Sequence, residues 1–477
     1  MQNRRLVPLI IATALFMENT DSTVIATSLP VIAGDLGTDP IALKLALTSY
    51  LVSLAIFIPI SGWMADRFGS RNVFAVALGV FMAGSLACAA SSSLGGFVLA
   101  RFFQGMGGAM MVPVGRLVIL RSVPKAEVVQ AIATLTIPAL IGPVIGPPLG
   151  GFITTYFHWR WIFVINIPIG ILGIALAVLF IPNIREEDTP PLDVIGFLLS
   201  GFGMALLMLG LATGGRHLLP TEASVACIIA GAALVLAYIP HMRRTAAPLL
   251  RLGLLKIPTF RASVLGGSLF RIGVGAIPFL LPLMLQVGFG LNPLQSGSIT
   301  FVATVGALFT KALAKSVLQH FGFRRVLVVN AVIGASFIAA HGLFTAATPF
   351  WVMMAVLLLG GCFRSLQFTS INAIGYADIS SRDMSSATSI SGVMQQLSLS
   401  VGVALGAFVV ETAAALRGGG EPIATDFTPA FFTVAAISAL STFVFVGLKP
   451  DAGAEMSGHH AVQRRTPATG LGDGVND

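Results

Sequence analysis

Fourteen apolar stretches of about twenty residues recur along this chain, each long enough to cross a ~30 Å hydrocarbon core as a helix. They lie at approximately 7–28, 45–65, 73–92, 96–117, 128–151, 161–182, 193–212, 223–241, 261–286, 295–316, 326–345, 350–373, 385–410 and 428–447. A backbone in hydrocarbon must satisfy its own polar groups, so such a chain folds as helices packed on helices. Only 10% of the 477 residues are Asp, Glu, Lys or Arg, against 55% hydrophobic. Soluble domains carry roughly 25% charged residues. The chain is expected to be an all-α membrane protein with the lipid bilayer as its solvent.

The net charge of +8 does not form a patch or tail, which argues against nucleic acid as a partner. An even number of spans puts both termini on one side. That side collects eighteen of the Lys and Arg residues, while the other holds Lys44, Arg160, Arg216 and Arg417. By the positive-inside rule both termini are cytoplasmic. Arg4 and Arg5 followed by an apolar run imitate a secretory signal. Glu18, Asn19, Thr20 and Asp21 interrupt that run, no cleavage site follows, and further spans do. It reads as a retained first helix. Cys88, Cys227 and Cys362 lie singly in apolar segments, without metal-ligand spacing. Neither a nucleotide loop nor a Ser/His/Asp arrangement is present, the seven His are scattered, and His459–His460 reads as a polar pair. No enzyme, cofactor or metal site is expected.

The chain repeats itself. Phe68-Gly69-Ser70-Arg71-Asn72-Val73 follows the second span, and Phe321-Gly322-Phe323-Arg324-Arg325-Val326 follows the tenth. This predicts two six-helix bundles, 1–183 and 258–450, with two extra central helices in 184–257. Such duplication is common in secondary transporters, whose substrate sits between the repeats. The polar, Gly-rich 451–477 is expected to be a disordered cytoplasmic tail.

Four groups of residues carry candidate chemistry. Glu18 and Asp21, three apart, share a face of the first span. Low dielectric favours the neutral form of an acid, so a buried carboxyl there can hold and release a proton. An acid at a wet helix end is the alternative, better suited to Glu18 than to Asp21. Arg101 opens the fourth span, where an unpaired charge costs several kcal/mol. It reads as functional, or as a structural Arg satisfied by backbone carbonyls. The loop Gly62 to Arg71, with Asp66, Arg67 and Gly69, offers glycines for a tight turn and an acid that can latch two bundles by pairing with Arg. A charged topogenic turn explains the same residues. The second repeat has Gln319 where the first has Asp66, so its latch should be weaker. Gly142, Pro143, Gly146, Pro147 and Gly150 crowd the fifth span with breakers and small residues, as expected of the pivot of a moving bundle.

As a set these motifs resemble the major facilitator superfamily, specifically its fourteen-helix drug/proton antiporters. The segment from Asp21 to Pro30 is similar to that subfamily's first-helix motif, and Gly62–Arg71 to the gating loop of the superfamily. Arg101–Gly105 resembles the fourth-helix motif and Gly142–Gly151 the antiporter motif. Trp159–Pro168 and Gly290–Gly297 resemble two further signatures. The likeness covers about 8–450 and extends to multidrug exporters of the MdtD type. It implies the major facilitator fold in a bacterial inner membrane, and alternating-access export of small molecules driven by proton entry. It also implies that Asp21 and Arg101 couple protons and that the antiporter motif limits leak. The proton gradient is then the energy source. Nothing in the chain looks like a docking domain for a periplasmic adaptor.

Substrate charge stays open at this point. Six bases lie within the spans: Arg101, Arg116, Arg271, Lys311, Lys315 and Arg364. Arg116 and Lys315 can snorkel to the interface, whereas Arg271 and Arg364 sit near mid-span. A candidate substrate cavity combines Arg271, Lys311 and Arg364 with Gln104 and Gln395. Exporters of lipophilic cations should present acids and aromatics. Buried Arg instead matches carboxylate or phosphate. Multidrug export therefore stands beside export of small organic anions such as citrate or a metal–citrate chelate. A non-transporting membrane sensor on the same scaffold is the third reading.

Overall fold

A computed structural model describes residues 6–38, 40–213, 220–291, 293–419 and 422–459. Among them every regular element is helical. The first bundle contains α1 (Leu6–Asp35), α2 (Pro40–Phe57), α3 (Ser61–Phe68), α4 (Ser70–Ala90), α5 (Leu94–Ser122), α6 (Val128–Tyr156), α7 (Trp161–Val164) and α8 (Asn166–Phe180). Then come α9 (Val194–Thr213) and α10 (Thr221–Arg244). The second bundle contains α11 (Pro258–Arg261), α12 (Gly267–Leu283), α13 (Pro293–His341), α14 (Phe350–Ile374), α15 (Met384–Leu416) and α16 (Ala424–Val446), followed by the short α17 (Ala454–Ser457). Ten described helices are long and apolar enough to cross a membrane, or eleven with the bent α2–α3 pair taken as one. Helix covers each of the fourteen apolar stretches read from the sequence, because α13 spans two of them.

The repeated motif marks the same event in both halves. Gly69, between α3 and α4, has φ 88° and ψ 135°. Gly322 breaks α13 at φ 74° and ψ 162°. A side chain at such a φ is strained, so glycine is the residue that allows either turn. These two turns define one end of the molecule, called the turn face below.

Small residues set how near the helices come. A Cβ on Gly107 would lie 2.5 Å from the Phe81 backbone nitrogen, and one on Gly105 would lie 2.7 Å from the Tyr50 carbonyl oxygen. Close backbone approach brings α5 onto α4 and α2, placing Arg101 inside the first bundle. Between the bundles, α3 and α5 pack on α15, and α6 packs on α13 and α14. Helix α9 lies against α2, α10 and α15, so the extra hairpin flanks the seam between the bundles.

The tail differs from expectation. Residues 451–459 are folded: α17 sits between Gly453 and Gly458, both with φ 71°. Met456 is buried, and α17 packs on α13, α6 and the turn Lys125–Glu127. Left-handed glycines bound the short helix, and Met456 anchors it. Residues 460–477 lie outside the described residues.

Candidate functional site

Asp21 is the centre of a buried polar cluster in the first bundle. Its Oδ2 lies 2.6 Å from Arg101 Nη1, with each side chain 1% exposed. Its Oδ1 accepts from Gln104 Nε2 at 2.9 Å and from Asn166 Nδ2 at 2.8 Å. Those two amides also donate to Ser85 Oγ, at 2.8 and 3.2 Å. Arg101 Nη1 donates as well to Gln104 Oε1 at 2.5 Å. Four helices (α1, α4, α5 and α8) thus converge on one carboxylate. The i, i+3 spacing of Arg101 and Gln104 puts both on the same face of α5.

Glu18 sits beside this cluster rather than in it. Tyr50 Oη donates to Glu18 Oε1 at 3.4 Å, and Glu18 Oε2 is buried without a partner. The Tyr50 ring lies 4.5 Å from the Arg101 guanidinium carbon, a cation–π contact. Tyr50 therefore links the paired acid to the unpaired one.

The second cluster is at the turn face. Asp66 Oδ1 pairs with Arg121 Nη2 at 2.8 Å, and that nitrogen also reaches Glu186 Oε1 at 3.0 Å. Ser385 Oγ, from the other bundle, donates to Asp66 Oδ2. Ser389 Oγ accepts from the Gly62 N–H at 3.0 Å. Among the expected gating residues Gly62, Asp66 and Gly69 take part. Arg67 is exposed, and among the described residues Arg71 reaches only Asn72, at 3.4 Å. The base of the latch is Arg121, which sequence reading assigned to topology alone.

Gly142 and Gly146 are buried against α1 next to the cluster. A Cβ on Gly142 would sit 3.0 Å from the Thr20 nitrogen, and Thr23 stands in the way of one on Gly146. Gly150 is also buried. The side chains of Pro143 and Pro147 lie outside the described residues. Helix α6 stays continuous through this run, so its glycines here hold the α6 backbone beside Asp21.

The five residues expected to share a substrate cavity have different polar partners. Gln104 belongs to the Asp21 cluster. Gln395 Oε1 accepts from Arg116 Nη2 across the bundle seam at 3.4 Å, and Arg116 Nη1 reaches Tyr376 Oη at the same distance. Arg271 donates to Asn372 at 2.9 Å and faces the Phe368 ring at 5.8 Å. Lys311 Nζ donates to Thr369 Oγ1 at 2.6 Å. Arg364 lines a cavity inside the second bundle with His341. Among the described residues no carboxylate pairs with Arg116, Arg271, Lys311 or Arg364, and no group of three His, Cys, Asp or Glu is placed to hold a metal ion.

Two packed bundles of helices long and apolar enough to cross a membrane, with an ion pair buried in one of them, are an architecture suited to a membrane transporter. A family model described as Major Facilitator Superfamily matches residues 11–255 and 263–470, and the chain belongs to that superfamily. It is 36% identical over 446 residues to proteins provisionally named multidrug resistance protein MdtD, from Salmonella heidelberg strain SL476 and Salmonella typhimurium strain LT2. Each match covers 93% of this chain and 94% of the relative. Among solved structures it resembles the human organic anion transporter MFSD10, with TM-score 0.67 and 14% identity over 93% of this chain and 100% of that one. The proton:xylose symporter XylE gives TM-score 0.67 and 14% identity over 95% and 98%. The chain is thus a multi-pass membrane transporter of small molecules and not an enzyme.

Proposed function

We propose that this transporter exports small molecules in exchange for protons, with Asp21 as the proton carrier and Arg101 as its counter-charge. The observation that carries this reading is the Asp21–Arg101 pair, 2.6 Å apart and buried in the first bundle. While Asp21 is ionised, the pair is neutral and satisfied. When Asp21 takes a proton, Arg101 is left charged in low dielectric, which is costly unless it finds another partner. Gln104 Oε1 and the Tyr50 ring already touch the guanidinium, and Glu18, hydrogen-bonded to Tyr50, offers an unpartnered oxygen beside them. Proton uptake would then move Arg101, and through α5 it would strain the α5–α15 contact between bundles. The names of the MdtD relatives support multidrug efflux as the substrate class. In this reading the turn face is cytoplasmic in a bacterial inner membrane, and the proton gradient alone drives the cycle. In proteoliposomes with an imposed pH gradient, Asp21→Asn should abolish gradient-driven transport while substrate binding persists. Unimpaired transport by that variant would remove Asp21 from the role, and wild-type turnover separates a carrier from a sensor.

A second reading is favoured by the bases at and near the seam. Among the described residues Arg116 and Arg271 have no carboxylate partner, so a substrate bringing a carboxylate would satisfy both. The substrate would then be a small organic anion, such as citrate or its metal chelate. An efflux panel of lipophilic cations against citrate-like anions decides between the readings. Cation transport that survives Arg116→Ala with Arg271→Ala, with no anion response, rejects the second.

A further inference from the structure

The interior of the second bundle holds two cationic or donor groups facing a cavity of their own. Arg364 on α14 and His341 at the end of α13 line it, with Phe270, Val274, Ile277 and Phe337 among the apolar residues around them. His341 is 3% exposed, and neither ring nitrogen has a hydrogen-bond partner. Among the described residues no hydrogen bond or ion pair holds the Arg364 guanidinium. Arg364 is half-buried and stays charged, while the unpartnered His341 ring is buried among apolar groups, where a donor without an acceptor is costly.

We propose that Arg364 and His341 bind one small monovalent anion of chloride size inside the second bundle. Three observations support an anion over the alternatives. Among the described residues no carboxylate ion-pairs with this site, so none of them supplies a counter-charge. The cavity gives about 20 Å³ to the centre of a water-sized particle; a single water needs ~10–15 Å³, so an organic substrate does not fit. Lys311 and Arg271, elsewhere in the second bundle, are also without acid partners among the described residues, so the interior of this bundle carries an excess of positive charge. A halide accepts from the guanidinium and from the N–H of a neutral imidazole together, and needs no donor from the apolar wall. The site lies within one bundle and away from the seam, so it is independent of the transported substrate.

The test uses the full chain purified in detergent, with sodium chloride exchanged for sodium gluconate at constant ionic strength. Thermal unfolding should show a saturable rise in Tm with chloride and bromide, and none with gluconate or sulfate. Line broadening of ³⁵Cl by the wild-type protein, reversed by bromide, should report the same site without any variant. Arg364→Leu should lose both responses, and its Tm in gluconate should be no lower than that of wild type. His341→Phe should weaken the halide response about tenfold, the value of one hydrogen bond to a charged group. Arg271→Gln should keep it. A wild-type Tm and chloride line width indifferent to the exchange would overturn the proposal. So would a halide response that survives Arg364→Leu or disappears with Arg271→Gln.

Discussion

The backbone N–H of Gly62 donates to Ser389 Oγ at 3.0 Å, tying α3 of the first bundle to α15 of the second at the turn face. The contact needs glycine, because a Cβ there would lie 2.5 Å from the Ser385 carbonyl oxygen. Asp66 receives Ser385 Oγ one helical turn further on. Gly62 and Asp66 therefore act on the same helix end, one by being small and the other by being charged.

Gly62→Ala should hold the turn face open. Arg67 and Arg382 are exposed on opposite sides of this contact, and spin labels there, in a background without the native cysteines, should move apart. An unchanged distance distribution would show that α15 accommodates the methyl group without leaving α3.

Asp21→Leu and Arg101→Leu should each cost about 3–5 kcal/mol, since either leaves an uncompensated buried partner. The double variant should lose much less than the sum, because neither charge then remains unanswered. Thermal unfolding of the four proteins measures this. Additive losses would mean that the two side chains are held by separate surroundings.

Asp426 gives an acid-side stability change. Hydrogen bonds from Arg417 hold its carboxyl below the usual carboxylate range, helped by the Ile423 N–H. A lowered folded-state value adds stability above the unfolded-state value and loses it as pH falls through the folded-state one. Asp426→Asn should therefore be less stable than wild type at pH 7, and the gap should close below about pH 4. A constant gap between pH 7 and pH 3 would remove this pair as the source.

The tail should depend on its apolar anchor more than on its ion pair. Lys125 and Glu455 are 3.0 Å apart but 54% and 78% exposed, and such pairs contribute about 0–1 kcal/mol. Met456 is 2% exposed, and burying a Met side chain contributes roughly 1.5–3 kcal/mol. Met456→Asp should expose the 451–459 segment to protease or hydrogen exchange, while Glu455→Gln leaves it protected. The reverse ranking would make the ion pair the anchor.

Much of the functional core is readable along the chain. A carboxyl at Asp21 and a guanidinium at Arg101 stand out because charge inside an apolar run is expensive, whatever the fold. Their partners Ser85 and Asn166 do not stand out, since polar uncharged residues occur in many of these helices without consequence. At the turn face the loop itself offered two bases, Arg67 and Arg71, beside Asp66. Arg121 takes the position because α5 ends beside α3, while Arg67 points to the exterior and Arg71 lies past the Gly69 turn. Gln104 and Arg364 were both assigned to one substrate cavity, yet one joins a satisfied network and the other lines a cavity inside the second bundle.

The apolar spans, their duplication and the glycines at 69 and 322 follow from sequence alone. Hydrocarbon demands helices of a set length, and a left-handed turn demands a residue without a Cβ. Which charges meet is a different matter. It depends on how each helix is rotated about its axis and how closely small residues let it approach its neighbours. Only the packed bundles decide that Asp21 has three donors, that α17 is seated, and that Arg271, Lys311 and Arg364 meet no carboxylate among the described residues.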